Sequence, residues 1–159
     1  LARHFGLTWE TLAYIPGLLV GVTIVVLLLW RGIPNDISAT LATKTFFFAA
    51  LIVPMVEEVV FRLGVFRLLP AHLSPLAKVT YSALVFACAH GRYGEQWFIP
   101  PAGLPIGPLL LGLSCGAVFA LSGRLMPAIL LHAVCNATGF VYPLVLDDEQ
   151  FSWLRWLYG

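Results

Sequence analysis

Charge is what this sequence has least of. Its 159 residues include 9 Lys and Arg and 8 Asp and Glu, 11% of the chain, where an ordinary soluble domain carries about 25%. That is too little polar surface to enclose a chain of this size, so a soluble globular enzyme is excluded. A disordered tail is excluded as well, because 60% of the residues are hydrophobic. The net charge of +1 offers nucleic acid no electrostatic footprint. Cysteine is scarce and odd in number: Cys88, Cys115 and Cys135 all sit in apolar runs, which implies no disulfide framework. The chain lacks an initiating Met and is expected to be part of something longer. Its first apolar run lacks the small-residue cleavage site of a signal peptide. What remains is an all-α, polytopic membrane protein, read as a single membrane domain over residues 1–159.

Uncharged stretches organise the chain. Leu12–Trp30 gives 19 residues without a charge, enough to cross a hydrocarbon core about 30 Å thick at ~1.5 Å per residue. A loop follows over Arg31–Lys44, with a helix start at Ser38. Further apolar tracts run over Thr45–Leu69, Ala77–His90, Leu109–Leu121 and Leu125–Leu146. Pro100, Pro101, Pro105 and Pro108 delay the fourth tract rather than kinking it. The tail carries Trp153, Trp156 and Tyr158, an interfacial aromatic anchor. About five transmembrane helices are expected, with the lipid bilayer as their surroundings and a polar site inside the bundle. Apart from Arg62, the basic residues divide four against four between the two sides, so the positive-inside rule sets no orientation.

Ionisable groups inside such tracts cost about 2.5–3.5 kcal/mol each at a helix centre. Glu57, Glu58 and Arg62 stand within six residues of the second tract and must pair or face a wet cavity. Glu58 and Arg62 are four residues apart, on one helical face, and form an expected ion pair. Glu57 is rotated by about 100° and points elsewhere. Phe86 and His90 end the third tract at the same spacing, and His132 and Asn136 repeat it in the fifth. Taken singly, each is a satisfied core group or interhelical glue. Taken together, three helices supply a carboxylate, two imidazoles, an amide and a guanidinium. A carboxylate with a histidine can deprotonate water, and a histidine with an asparagine can donate two hydrogen bonds to an oxyanion. That is equipment for amide hydrolysis.

These residues resemble a known family. Glu57-Glu58-Val59-Val60-Phe61-Arg62, Phe86-Ala87-Cys88-Ala89-His90 and His132-Ala133-Val134-Cys135-Asn136 match the ordered motifs EExxxR, FxxxH and HxxxN. They are similar to those of the CPBP intramembrane proteases, which include the CAAX prenyl endopeptidases and bacteriocin-processing proteins. The resemblance covers residues 45–146. It implies a glutamate-dependent intramembrane endopeptidase acting on a membrane-associated protein or peptide, without cofactor or metal. By motif position, Glu57 would be the base acting on water with His90, and His132 and Asn136 the oxyanion hole. Glu58 and Arg62 would support the site and Phe86 line it. The implied localisation is integral and multi-pass, in the inner membrane of a bacterial source.

Two alternatives follow from the same residues. Glu57, His90 and His132 are a plausible zinc set, although no HExxH occurs. A non-catalytic protein relaying protons or binding a solute would also bury such groups, but no inverted halves are visible. The cysteines read as small hydrophobes, and His4 and His72 as surface residues. The Arg92–Trp97 loop is a candidate lid beside His90. The protease reading requires Glu57, His90, His132 and Asn136 to converge on one cavity.

Overall fold

Proline and glycine set where the helices begin and end. The computed structural model describes residues 8–32, 39, 43–90 and 105–145, which form helices and no sheet. The expected helix start at Ser38, the Arg92–Trp97 loop, His4 and the aromatic tail lie outside these residues. Thr8 opens α1 (Trp9–Leu12), its Oγ1 accepting from the Thr11 amide at 3.2 Å. A turn at Ala13 and Tyr14 leads into α2 (Ile15–Arg31), with Pro16 in its first turn, where a missing N–H costs nothing. Residues 44–68 run as one helical segment, α3. Within it Phe48–Ile52 and Val59–Val65 are wound as π-helix around an α-helical Val53–Glu58. Pro54 explains the first π segment, since a proline inside a helix loses a hydrogen bond and crowds the preceding turn.

Ser74 accepts from the Ala77 amide and Pro75 starts α4 (Pro75–His90). Pro105 precedes α5 (Ile106–Ser122) and Pro108 lies in its first turn, so this helix is delayed, not kinked. Gly123 ends α5 with φ +66, a conformation a side chain would strain, and its N–H meets Phe119 O at 2.8 Å. After it comes α6 (Leu125–Val145).

All five expected tracts are therefore helical, as α2 to α6. Trp9–Trp30, which runs through α1, the turn and α2 with mean hydropathy 2.6, is the one helical stretch among the described residues long and apolar enough to cross a membrane; Ile106–Ser122 and Leu125–Val141 are apolar but shorter. Pro105 and Gly123 fix the length of α5, and α3 carries Glu57, Glu58 and Arg62 in its second half. The outer face of α2 exposes Leu18, Val22, Val25, Val26 and Leu29, an unbroken apolar surface far better solvated by lipid than by water.

Small residues bring the helices together, as they do where lipid removes the hydrophobic drive between helices. A Cβ on Gly112 would lie 3.1 Å from Ala83 Cα, and one on Gly116 3.1 Å from Val79 Cγ1, so α5 lies against α4. A Cβ on Gly17 would lie 3.2 Å from Leu131 N, which seats α2 on α6. Ala13, Cys115, Val118, Phe119, Ala128 and Leu131 form the buried core below. An ion pair of 2.6 Å between Arg124 and Glu10 ties α1 to the α5–α6 turn.

Candidate active site

The buried half of the site is built around one guanidinium. Arg62 and Glu58 are both 0% exposed, and Arg62 Nε donates to Glu58 Oε2 at 2.8 Å, the pairing expected from their spacing. The remaining donors reach across to two other helices. Arg62 Nη1 donates to Ser82 Oγ at 2.7 Å and Nη2 to the Gly112 carbonyl at 3.2 Å. Ser82 Oγ in turn donates to Phe61 O at 3.1 Å. The second carboxylate oxygen, Glu58 Oε1, lies 2.9 Å from His132 Nδ1. No buried side-chain nitrogen or oxygen among the described residues is left without a partner. α3, α4, α5 and α6 are thus locked by a single saturated network, the condition under which a buried ion pair is stable.

The second half lies one residue away and is looser. Glu57 is 22% exposed; its Oε1 is 3.3 Å from His90 Nε2 and its Oε2 is 3.4 Å from His132 Nε2. His90, 32% exposed, donates from Nδ1 to its own helix at Phe86 O, 2.8 Å away. Because a carbonyl only accepts, that bond fixes the tautomer of a neutral His90 and leaves Nε2 as an acceptor facing Glu57. The same logic applies to His132: Nδ1–H is committed to Glu58, so Nε2 donates only when the ring carries both protons.

Phe86 is the hinge between the halves. Its ring, 1% exposed, tilts against His90 at 4.2 Å and meets His132 and Phe61 edge-on at 5.6 and 5.0 Å. The Arg62 guanidinium carbon lies 5.9 Å from its centroid. Glu57, Phe86, His90, His132 and Asn136 all border one cavity of about 830 Å³, whose remaining wall is largely aliphatic. The expected convergence is therefore present, with one qualification. Asn136 Nδ2 donates to Ala49 O at 3.0 Å, so one of its two N–H bonds already braces α6 against α3 and one remains.

Sequence reasoning missed three partners: Ser82, the Gly112 carbonyl and the Glu58–His132 bond. Ser82 had a readable signal, since it precedes Phe86 by the same four residues that separate Phe86 from His90. A main-chain carbonyl on another helix has none. His72 and Cys88 are exposed and Cys115 is buried. Glu58, Cys115 and His132 offer ligand atoms within 4.8 Å of one another. The set does not fit a cation: Arg62 occupies Glu58, His132 Nδ1 points its proton at the same carboxylate, and Cys115 Sγ is turned to Ala128 O at 3.6 Å. A metal there would share Glu58 with a buried positive charge.

A family model described as Type II CAAX prenyl endopeptidase Rce1-like matches residues 39–138, a segment that includes all of the site residues above. The chain belongs to this family. No curated protein and no solved structure matches it. Membership in the Rce1-like family and the apolar Trp9–Trp30 helix identify a membrane-associated, helical protein with a protease-like arrangement of buried polar groups. In this Rce1-like chain α1 and α2 precede the matched segment, yet Pro16, Leu19 and Val20 of α2 form part of the cavity wall.

Proposed function

We propose that the protein is a multi-pass intramembrane endopeptidase of the glutamate type, hydrolysing a peptide bond of a membrane-associated protein or peptide. The observation that carries this reading is the contact of Glu57 with both His90 and His132 at the edge of an apolar cavity. A small outward movement of Glu57 or His90, both partly exposed, admits a water whose two O–H bonds they then accept, aiming its lone pair into the cavity. Attack forms the O–C bond and moves the water proton to the Glu57–His90 pair. The oxyanion lies against His132 Nε2, which donates to it when the ring carries both protons, and against the second N–H of Asn136. Collapse breaks the C–N bond, and the stored proton leaves with the amine. Glu58 and Arg62 touch no reacting atom in this scheme; they hold His132 in place.

The test compares membrane-protein peptide maps from cells making the wild-type protein and cells making the Glu57→Gln variant, with purified protein in liposomes assayed on any reporter so identified. The reading expects new termini in apolar segments that vanish in the variant, and cleavage in liposomes that survives a tight chelator. Identical peptide maps, or cleavage lost on chelation and restored by zinc, would contradict it.

A further inference from the structure

The site cavity has a wall that the family match does not include. The match begins at residue 39, while Pro16, Leu19 and Val20 of α2 line the same cavity as Glu57 and His90, together with Leu110 and Leu111 of α5 and Phe140 of α6. Leu19 and Leu110 border the cavity and are nonetheless 62% and 45% exposed. They therefore mark its mouth, which opens between α2 and α5. The same helix exposes Leu18, Val22, Val25 and Val26 to the surroundings, so the mouth lies on an apolar face of the protein. Gly17 sets how far this wall stands from the polar groups. A Cβ there would meet Leu131 N at 3.2 Å and Leu131 Cα at 3.3 Å, main-chain atoms next to His132 that cannot swing aside.

We propose that α2 is the specificity wall of the site: Leu19 and Val20 select the apolar side chain of the substrate beside the scissile bond, and Gly17 fixes the distance of that wall from His132. The proposal rests on the protease reading above. Physically, an aliphatic wall discriminates by the volume it leaves. Enlarging Leu19 excludes the larger substrate side chains, and trimming it admits them. Because Leu19 is mostly exposed, its substitution leaves the packed interior intact.

The experiment uses the full chain in detergent micelles with quenched-fluorescent apolar peptides that differ at one position, Ala, Leu or Phe. Leu19→Phe is expected to move the Ala-to-Phe ratio of kcat/KM about tenfold toward Ala, the scale on which apolar pockets resolve small volume differences. Leu19→Ala moves it the other way, with the change in KM and not in kcat. Gly17→Ala shifts the profile as a displaced α2 would, toward larger side chains. Leu76→Ala, on the exposed start of α4, leaves the ratio as in wild type. Unchanged ratios in all α2 variants, with Glu57→Gln inactive, overturn the specificity wall and leave the protease reading standing. Cleavage by Glu57→Gln at the wild-type rate overturns the protease reading instead. A benzophenone-bearing copy of the Phe peptide gives a readout independent of turnover in Glu57→Gln protein. Photolabel on residues 16–20 supports the wall, and label confined to other helices contradicts it.

Discussion

Glu57 and Glu58 are neighbours in the chain and opposites in the fold. Glu58 is wholly buried, with one oxygen on Arg62 and the other on His132, at 2.8 and 2.9 Å. Glu57 faces a cavity and touches two imidazoles at 3.3 and 3.4 Å. The first arrangement leaves neither carboxylate oxygen without a buried partner and has four helices dependent on it. The second leaves slack, partial exposure and two proton-carrying neighbours. A buried charge with both oxygens paired fits a structural role, and one beside a cavity with slack contacts fits the reactive role proposed for Glu57.

The largest effect that could break this contrast is Arg62→Ala. It would strand Glu58 as an uncompensated buried charge at a cost of about 3–5 kcal/mol, and remove the tie to Ser82 and Gly112 as well. Folded yield in detergent and the melting temperature should both fall sharply. A variant that melts like wild type would mean the network is ornamental. Ser82→Ala is milder, leaving one Arg62 donor unmet for about 1–3 kcal/mol; the melting curve should drop while turnover per folded molecule is kept. The smallest effect is expected at Arg124→Ala. The pair it breaks with Glu10 is about half exposed, and such pairs contribute about 0.2–1 kcal/mol, less at high salt. A melting shift comparable to that of Ser82→Ala would show that anchoring α1 matters more than its exposure suggests.

Local spacing made half of this legible. Four-residue intervals correctly paired Glu58 with Arg62 and placed Phe86 beside His90, because those pairs depend on one helix alone. The all-helical fold was readable for the same reason, in tracts whose apolar residues never alternate. Pairings between helices were not readable. That Glu57 points away from Arg62 follows from helical rotation, but that it meets both histidines depends on how α3, α4 and α6 are turned against each other. The bond from Asn136 to Ala49 O arises likewise from packing, and it takes one of the two N–H bonds of Asn136, leaving the other for the oxyanion role that spacing assigned to that residue. The π segment before Val53–Glu58 had a visible cause in Pro54 but no visible register, and the one after it had no visible cause. Span number is the coarsest case: apolarity marked five tracts, while Pro105 and Gly123 limit the length of α5 and the charges of α3 limit its apolarity.

One paired measurement tests the central contrast. Glu57→Gln and Glu58→Gln each remove one negative charge, at adjacent positions, with almost no change in shape. Melting temperature and turnover of the two purified proteins should separate cleanly. Glu57→Gln is expected to melt like wild type and cleave nothing. Glu58→Gln should melt far lower, because it leaves Arg62 buried without a counter-charge. If Glu57→Gln still cleaves, or if the two variants lose stability equally, the division into a structural and a reactive glutamate is wrong.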